Sequence, residues 1–128
     1  MQYMNYYFLL AALVFLGSCK KDSGEAKDTE LPKILLTSPM GNQVFSGGQT
    51  ISIEGTITDN KMLREIHLEI TNTTTGTFLT HEHFAPNGSN YSLSKTFTLQ
   101  AATTYKIKVH AEDESDNEAE LILNISAN

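Results

Sequence analysis

From Lys33 onward, apolar residues recur at every second position, not at the 3.6-residue spacing of a helix. Ile51, Ile53, Gly55 and Ile57 alternate with Thr50, Ser52, Glu54, Thr56 and Thr58. Ile66, Leu68 and Ile70 alternate with Glu65, His67, Glu69 and Thr71. The same period runs through Tyr105, Ile107, Val109 and Ala111, and again through Leu121, Leu123 and Ile125. Each run is the pattern of a strand with one face in a core and the other in water. Turn-forming clusters punctuate the runs: Ser38-Pro39-Met40-Gly41-Asn42, Asp59-Asn60-Lys61, Asn72 to Gly76, Pro86-Asn87-Gly88-Ser89 and Asp113 to Asn117. This spacing predicts strands over 33–37 with 43–45, then 50–58, 63–71, 77–84, 91–99, 104–112 and 119–126.

Seven short strands over residues 32–128 predict an all-β fold, a seven-stranded antiparallel immunoglobulin-like sandwich. Another small antiparallel barrel or a jelly-roll fragment is the alternative. The first 31 residues stand apart from this domain. Tyr6 to Leu16 is an unbroken apolar run of eleven residues, far short of the roughly 20 that a membrane-spanning helix needs. It has the length of a secretory signal core, although Met1 to Asn5 contains no Lys or Arg. Leu16-Gly17-Ser18-Cys19 resembles a bacterial lipobox. That resemblance implies a signal peptide over 1–18, cleavage before Cys19, and acylation of its sulfur and amine. Two or more chains anchor stably where one binds marginally. Residues 20–30 carry no aliphatic side chain larger than Ala, so residues 19–31 are expected to form the acylated Cys and a flexible tether. The Lys21-Asp22 start of that tether is similar to the surface-export signal of Bacteroidota lipoproteins, and a solvated linker accounts for the same residues.

Within the domain, Pro32-Lys-Ile-Leu-Leu-Thr-Ser-Pro39, the Gly47-Gly48-Gln49 start of the second strand and Ile57-Thr58-Asp59 resemble bacterial Ig-like and cadherin-like extracellular modules. Ala101 to Asp113 is similar to their sixth strand. Tyr105 stands where such folds place a tyrosine corner, whose hydroxyl bonds back to the preceding backbone. The chain also resembles single-domain lipoproteins of Bacteroidota with no assigned activity. Fold is well specified by such motifs and function is not.

Composition narrows the chemistry. Nine Lys and Arg against fifteen Asp and Glu give a net charge of −6, and the longest basic run is Lys20-Lys21, which argues against a nucleic-acid partner. One Cys closes no internal disulfide. No Gly-x-Ser-x-Gly elbow is present, and His81-Glu82-His83 lacks the His-Glu-x-x-His spacing of a helical metalloprotease. No enzyme is expected. Two clusters invite a metal. His67 and His110 fall on outward positions of neighbouring strands, and His81 and His83 share a face of the fourth strand, with a hairpin centred near Thr74 setting His81 opposite His67; such imidazoles could hold zinc or copper. Glu112, Asp113, Glu114, Asp116, Glu118 and Glu120 crowd nine residues of the last hairpin. Asp59, Asp113 and Asp116 are the expected calcium ligands at that end of the sandwich, where the resemblance to cadherin-like modules also implies calcium. Solvated histidines and a solvated acidic loop explain the same residues. Most of the domain's aromatic residues fall on inward positions, which disfavours a sugar-stacking platform.

These features predict a cell-envelope lipoprotein, lipid-anchored to the outer membrane and surface-exposed or facing inward. Its Ig-like domain is expected to be a binding, adhesion or accessory module for an envelope protein or glycan. A metal-binding module and a purely structural subunit of an envelope complex are the alternatives.

Overall fold

A computed structural model of the chain describes Gly24 and residues 26–128; the segment 1–18 and Cys19 lie outside the described residues. The strands are β1 (Lys33–Ser38), β2 (Val44–Phe45), β3 (Thr50–Asn72), β4 (Thr77–Phe84), β5 (Gly88–Thr98), β6 (Thr103–Asp113) and β7 (Glu118–Ala127). The period-two pattern accounts for them: inward residues are buried and their neighbours are not. Ile53, Ile57, Ile66, Leu68, Ile70, Ile107 and Val109 belong to one continuous core, none more than 1% exposed.

The architecture turns on β3, which runs for 23 residues. Its first half, residues 50–58, lies between β1 and β5; its second half, residues 63–72, lies between β4 and β6. All four pairings are antiparallel. β6 then pairs with β7. Two layers result, β1–β3–β5 and β4–β3–β6–β7–β2, sharing one central strand and closing over one core.

The strand count matches expectation through two differences that cancel. Residues 50–58 and 63–71 form one strand, because the polar Asp59-Asn60-Lys61 stretch stays extended and no residue there takes a positive φ. Residues 33–37 and 43–45, expected as one strand, form two. β1 joins one layer, whereas Asn42 N–H donates to Asn124 C=O and Ser126 N–H to Gln43 C=O, carrying β2 to the other. There β2 pairs with β7 in parallel, so the sandwich is not wholly antiparallel.

Two local features fix the packing. Tyr105 is fully buried; its hydroxyl accepts from Gln100 N–H at 2.6 Å and donates to Gln100 C=O at 3.3 Å. This is the tyrosine corner that the sequence resemblance implied. Gly55 permits β1 to approach β3 closely, since a Cβ there would lie 2.3 Å from Leu35 O.

The tether differs from expectation at Asp28. Only 7% of this residue is exposed. Its Oδ1 accepts from Glu30 N–H and from Asn60 Nδ2, and its carbonyl accepts from Asn117 Nδ2. Asp28 therefore belongs to the folded domain, held by loops 32 and 89 positions further along the chain.

Candidate functional site

The outer face of the β4–β3–β6–β7 layer gathers all four histidines. His67 pairs directly with His83 on β4 and with His110 on β6. His81 lies one step along, opposite Glu69, so the expected pairing of His81 with His67 is corrected by two residues. The turn is centred between Thr74 and Thr75, and an irregularity between Ile70 and Thr71 shifts the register by one further residue; strand periodicity reveals neither. His81 still reaches His67 diagonally, its Nε2 lying 3.1 Å from His67 Nδ1.

Glu65 is the residue on this face that sequence reasoning missed. A bulge between Leu63 and Glu65 adds Arg64 to β3. Arg64 pairs with Glu112 and Asp116, while Glu65 turns to the histidines. Glu65 Oε1 lies 3.2 Å from His67 Nε2, and its Oε2 lies 3.1 Å from His83 Nε2. The bond from His67 holds the Glu65 carboxyl below the usual carboxylate range. The His67 and His83 rings stack with centroids 4.6 Å apart. Ligand atoms of Glu65, His67 and His83 all lie within 4.8 Å of one another. Beside them an open depression of about 500 Å³ is lined by His67, Glu69, His81, Lys108, His110 and Glu118, among others. Lys108 bonds Glu69 at 2.8 Å, which lowers the Glu69 pKa and raises that of Lys108. His110 is held by Glu118 at 3.4 Å.

The acidic end assembles a different set from the one expected. Asp28, Asp59 and Asp113 bring ligand oxygens within 4.8 Å of one another. Asp116 is not among them, because it is exposed and bound to Arg64. Asp28 takes its place; its burial rests on hydrogen bonds to distant loops, so no apolar period announces it. Asp28 and Asp59 each tie down a loop with one oxygen, and Asp113 uses both. Asp59 Oδ2 accepts from Lys61 N–H, and Asp113 Oδ1 accepts from the N–H groups of Ser115 and Asn117. Asp113 Oδ2 accepts from Asn117 Nδ2 at 2.7 Å. Asp28 Oδ2 and Asp59 Oδ1 are buried without a hydrogen-bond partner among the described residues. Burial opposes the charge of Asp113, but the Asn117 and Ser115 donors outweigh it and hold the carboxyl below its ordinary value. Asp28 is lowered by the Glu30 backbone N–H and by Asn60. At calcium–oxygen distances of about 2.3–2.6 Å, no two ligand atoms of one ion stand more than roughly 5.2 Å apart, and the three carboxylates keep within that limit.

The aromatic residues offer no platform. Tyr105 is buried, Phe45, Phe84, Tyr91 and Phe97 pack against the core, and Phe78 alone of the domain's aromatic residues is largely exposed.

No curated protein sequence matches the chain. Among solved structures, it is similar to a superoxide reductase (neelaredoxin) from Ignicoccus hospitalis, at 14% identity and a TM-score of 0.48, over 75% of this chain and 80% of that one. It is also similar to the CARDB domain of a Pyrococcus furiosus protein solved with di-metal ions, at 12% identity and a TM-score of 0.46, over 79% of this chain and 99% of that one. Neither likeness bears on what this chain binds. Residues 32–109 match the family described as Bacterial Ig domain. The chain belongs to the bacterial Ig domain family.

Proposed function

We propose that the chain is a cell-envelope lipoprotein whose bacterial Ig domain serves as a binding, adhesion or accessory module. Family membership suggests a non-catalytic binding or structural module; the lipid anchor at Cys19 and the outer-membrane location extend that statement. The docking of Asp28 supports the reading. Asp28 stands nine positions after Cys19, a reach of about 30 Å at full extension. An acylated Cys19 then keeps the acidic end toward the membrane. The opposite end, with the exposed Thr73, Thr74 and Thr75 of the β3–β4 turn, faces outward to an envelope protein or glycan. The test is metabolic labelling with palmitate and membrane fractionation of the full chain and its Cys19→Ala variant in a Gram-negative host. The full chain should carry label and stay in membranes through a high-salt wash, and the variant should do neither. Retention of Cys19→Ala in washed membranes would refute the anchor.

A second reading is a cation-binding module, favoured by the unpartnered oxygens of Asp28 and Asp59. A calcium-class cation held by Asp28, Asp59 and Asp113 would lock the tether to the domain. Among the described residues the core and every strand lie within residues 33–127, so residues 20–128 contain all of them. Calcium at a hundred times its dissociation constant should stabilise this segment by about 2.7 kcal/mol, a rise of several degrees in Tm. Asp28→Asn keeps an acceptor for Glu30 and Asn60 but removes the charge, and should abolish the rise. An equal rise in the variant would refute the site.

A further inference from the structure

We infer that Glu65, His67 and His83 form a transition-metal site of the zinc class on the outer face of β3 and β4, with His81 orienting His67. The inference stands independently of the acidic end and of the lipid anchor.

A tetrahedral centre with bonds of about 2.0–2.1 Å holds neighbouring ligand atoms roughly 3.3 Å apart. His67 Nε2 stands 3.2 Å from Glu65 Oε1 and His83 Nε2 3.1 Å from Glu65 Oε2, one imidazole on each carboxylate oxygen, and one ligand atom from each of the three residues lies within 4.8 Å of the others. A cation replacing the shared protons needs only small side-chain rotations, and Glu65, His67 and His83 are 33%, 23% and 54% exposed, so they have room for them. The donor set of two imidazoles and one carboxylate is one that zinc accepts, with a fourth position left for water or a donor from another molecule.

A metal-bound imidazole holds its ring by donating its other N–H to an acceptor. Bound through Nε2, His67 carries its proton on Nδ1, and His81 Nε2 stands 3.1 Å away to accept it. The strands fix this geometry: His67 and His83 are cross-strand partners, and His81 is diagonal to His67. Glu65 reaches both because it stands two positions before His67 on the same face of β3. His110, also a cross-strand partner of His67, is engaged by Glu118 and is assigned no ligand role.

The test is calorimetric titration of residues 20–128 with Zn2+, followed by Co2+ absorption spectroscopy. One Zn2+ per chain is expected, together with the visible bands of a tetrahedral Co2+ centre. His83→Ala and Glu65→Gln should each weaken zinc binding at least tenfold. His81→Ala should weaken it by about tenfold, in the range of lost outer-shell partners, and His110→Ala should leave it within about twofold. Thermal melts of the metal-free variants should overlay the parent, which separates lost ligation from lost folding. Absence of saturable zinc binding would overturn the proposal, as would unchanged binding in the Glu65→Gln/His83→Ala double variant. Loss of binding in His110→Ala equal to that in His83→Ala would overturn this ligand set. Titration of Asp28→Asn should give the parental zinc affinity, and loss of zinc binding there would overturn assignment to the histidine face.

Discussion

Replacing Tyr105 by Phe removes one buried oxygen and nothing else from the core. The ring stays, with its edge-on packing to Phe97 at 5.6 Å. Two hydrogen bonds go: the 2.6 Å bond from Gln100 N–H and the 3.3 Å bond to Gln100 C=O. A hydrogen bond contributes a net 0.5–1.5 kcal/mol on average, and orphaning a buried partner costs about 1–3 kcal/mol. Gln100 itself is exposed, so water can reach the freed backbone groups. The longer bond adds little, which places the loss at about 1 kcal/mol. For a domain of this size that lowers Tm by about 4–8 °C. Urea denaturation of residues 20–128 should show a lower midpoint with an unchanged slope, since the buried surface is the same. An unchanged midpoint would refute the claim that the hydroxyl secures the β5–β6 corner. A loss above about 3 kcal/mol would mean that the ring itself had shifted.

Two further perturbations probe other parts of the fold. Gly55→Ala places a methyl 2.3 Å from Leu35 O and 2.9 Å from Leu36 Cδ2; β1 must move, and the urea midpoint should fall by the equivalent of about 1–3 kcal/mol. The acid limb of stability should follow Asp28 and Asp113. Both carboxyls lie below the ordinary 3.8 in the folded state, so their contribution is fully present above that value and is lost as pH falls through the lower folded-state values. Denaturation midpoints should hold level from neutral pH to about 5 and decline below about 4, and Asp113→Asn should flatten the decline. An equally steep decline in that variant would contradict the assignment.

The strands were legible because alternation of Ile and Leu with polar residues is a local signal, and the core residues are those it marks. Pairing was less legible. The bulges at Arg64 and between Ile70 and Thr71 each shift register by one residue without altering composition, and the second, together with the turn centre, moved His81 from its expected partner. The two-residue β2 is too short to carry a period, so its parallel pairing with β7 left no trace in the sequence. The four histidines were readable as a cluster. Glu65 could have been added, because it precedes His67 by two positions on the same face. Asp28 could not be read this way: its neighbours have the composition of a linker, and its burial depends on Asn60 and Asn117. Asp116 looked equivalent to Asp113 within one acidic run, yet Arg64, more than fifty positions earlier, claims it.

The continuity of β3 has a consequence for how the domain comes apart. One backbone is the central strand of both layers, so neither sheet can open without releasing hydrogen bonds from the strand that anchors the other. A sandwich with separate central strands can lose one sheet as a partial unfolding unit. Here the amides of Ile53 and Leu68, in different layers, are expected to exchange with solvent at a single protection free energy equal to that of global unfolding. The edge strands β1, β2, β4 and β5 should exchange earlier.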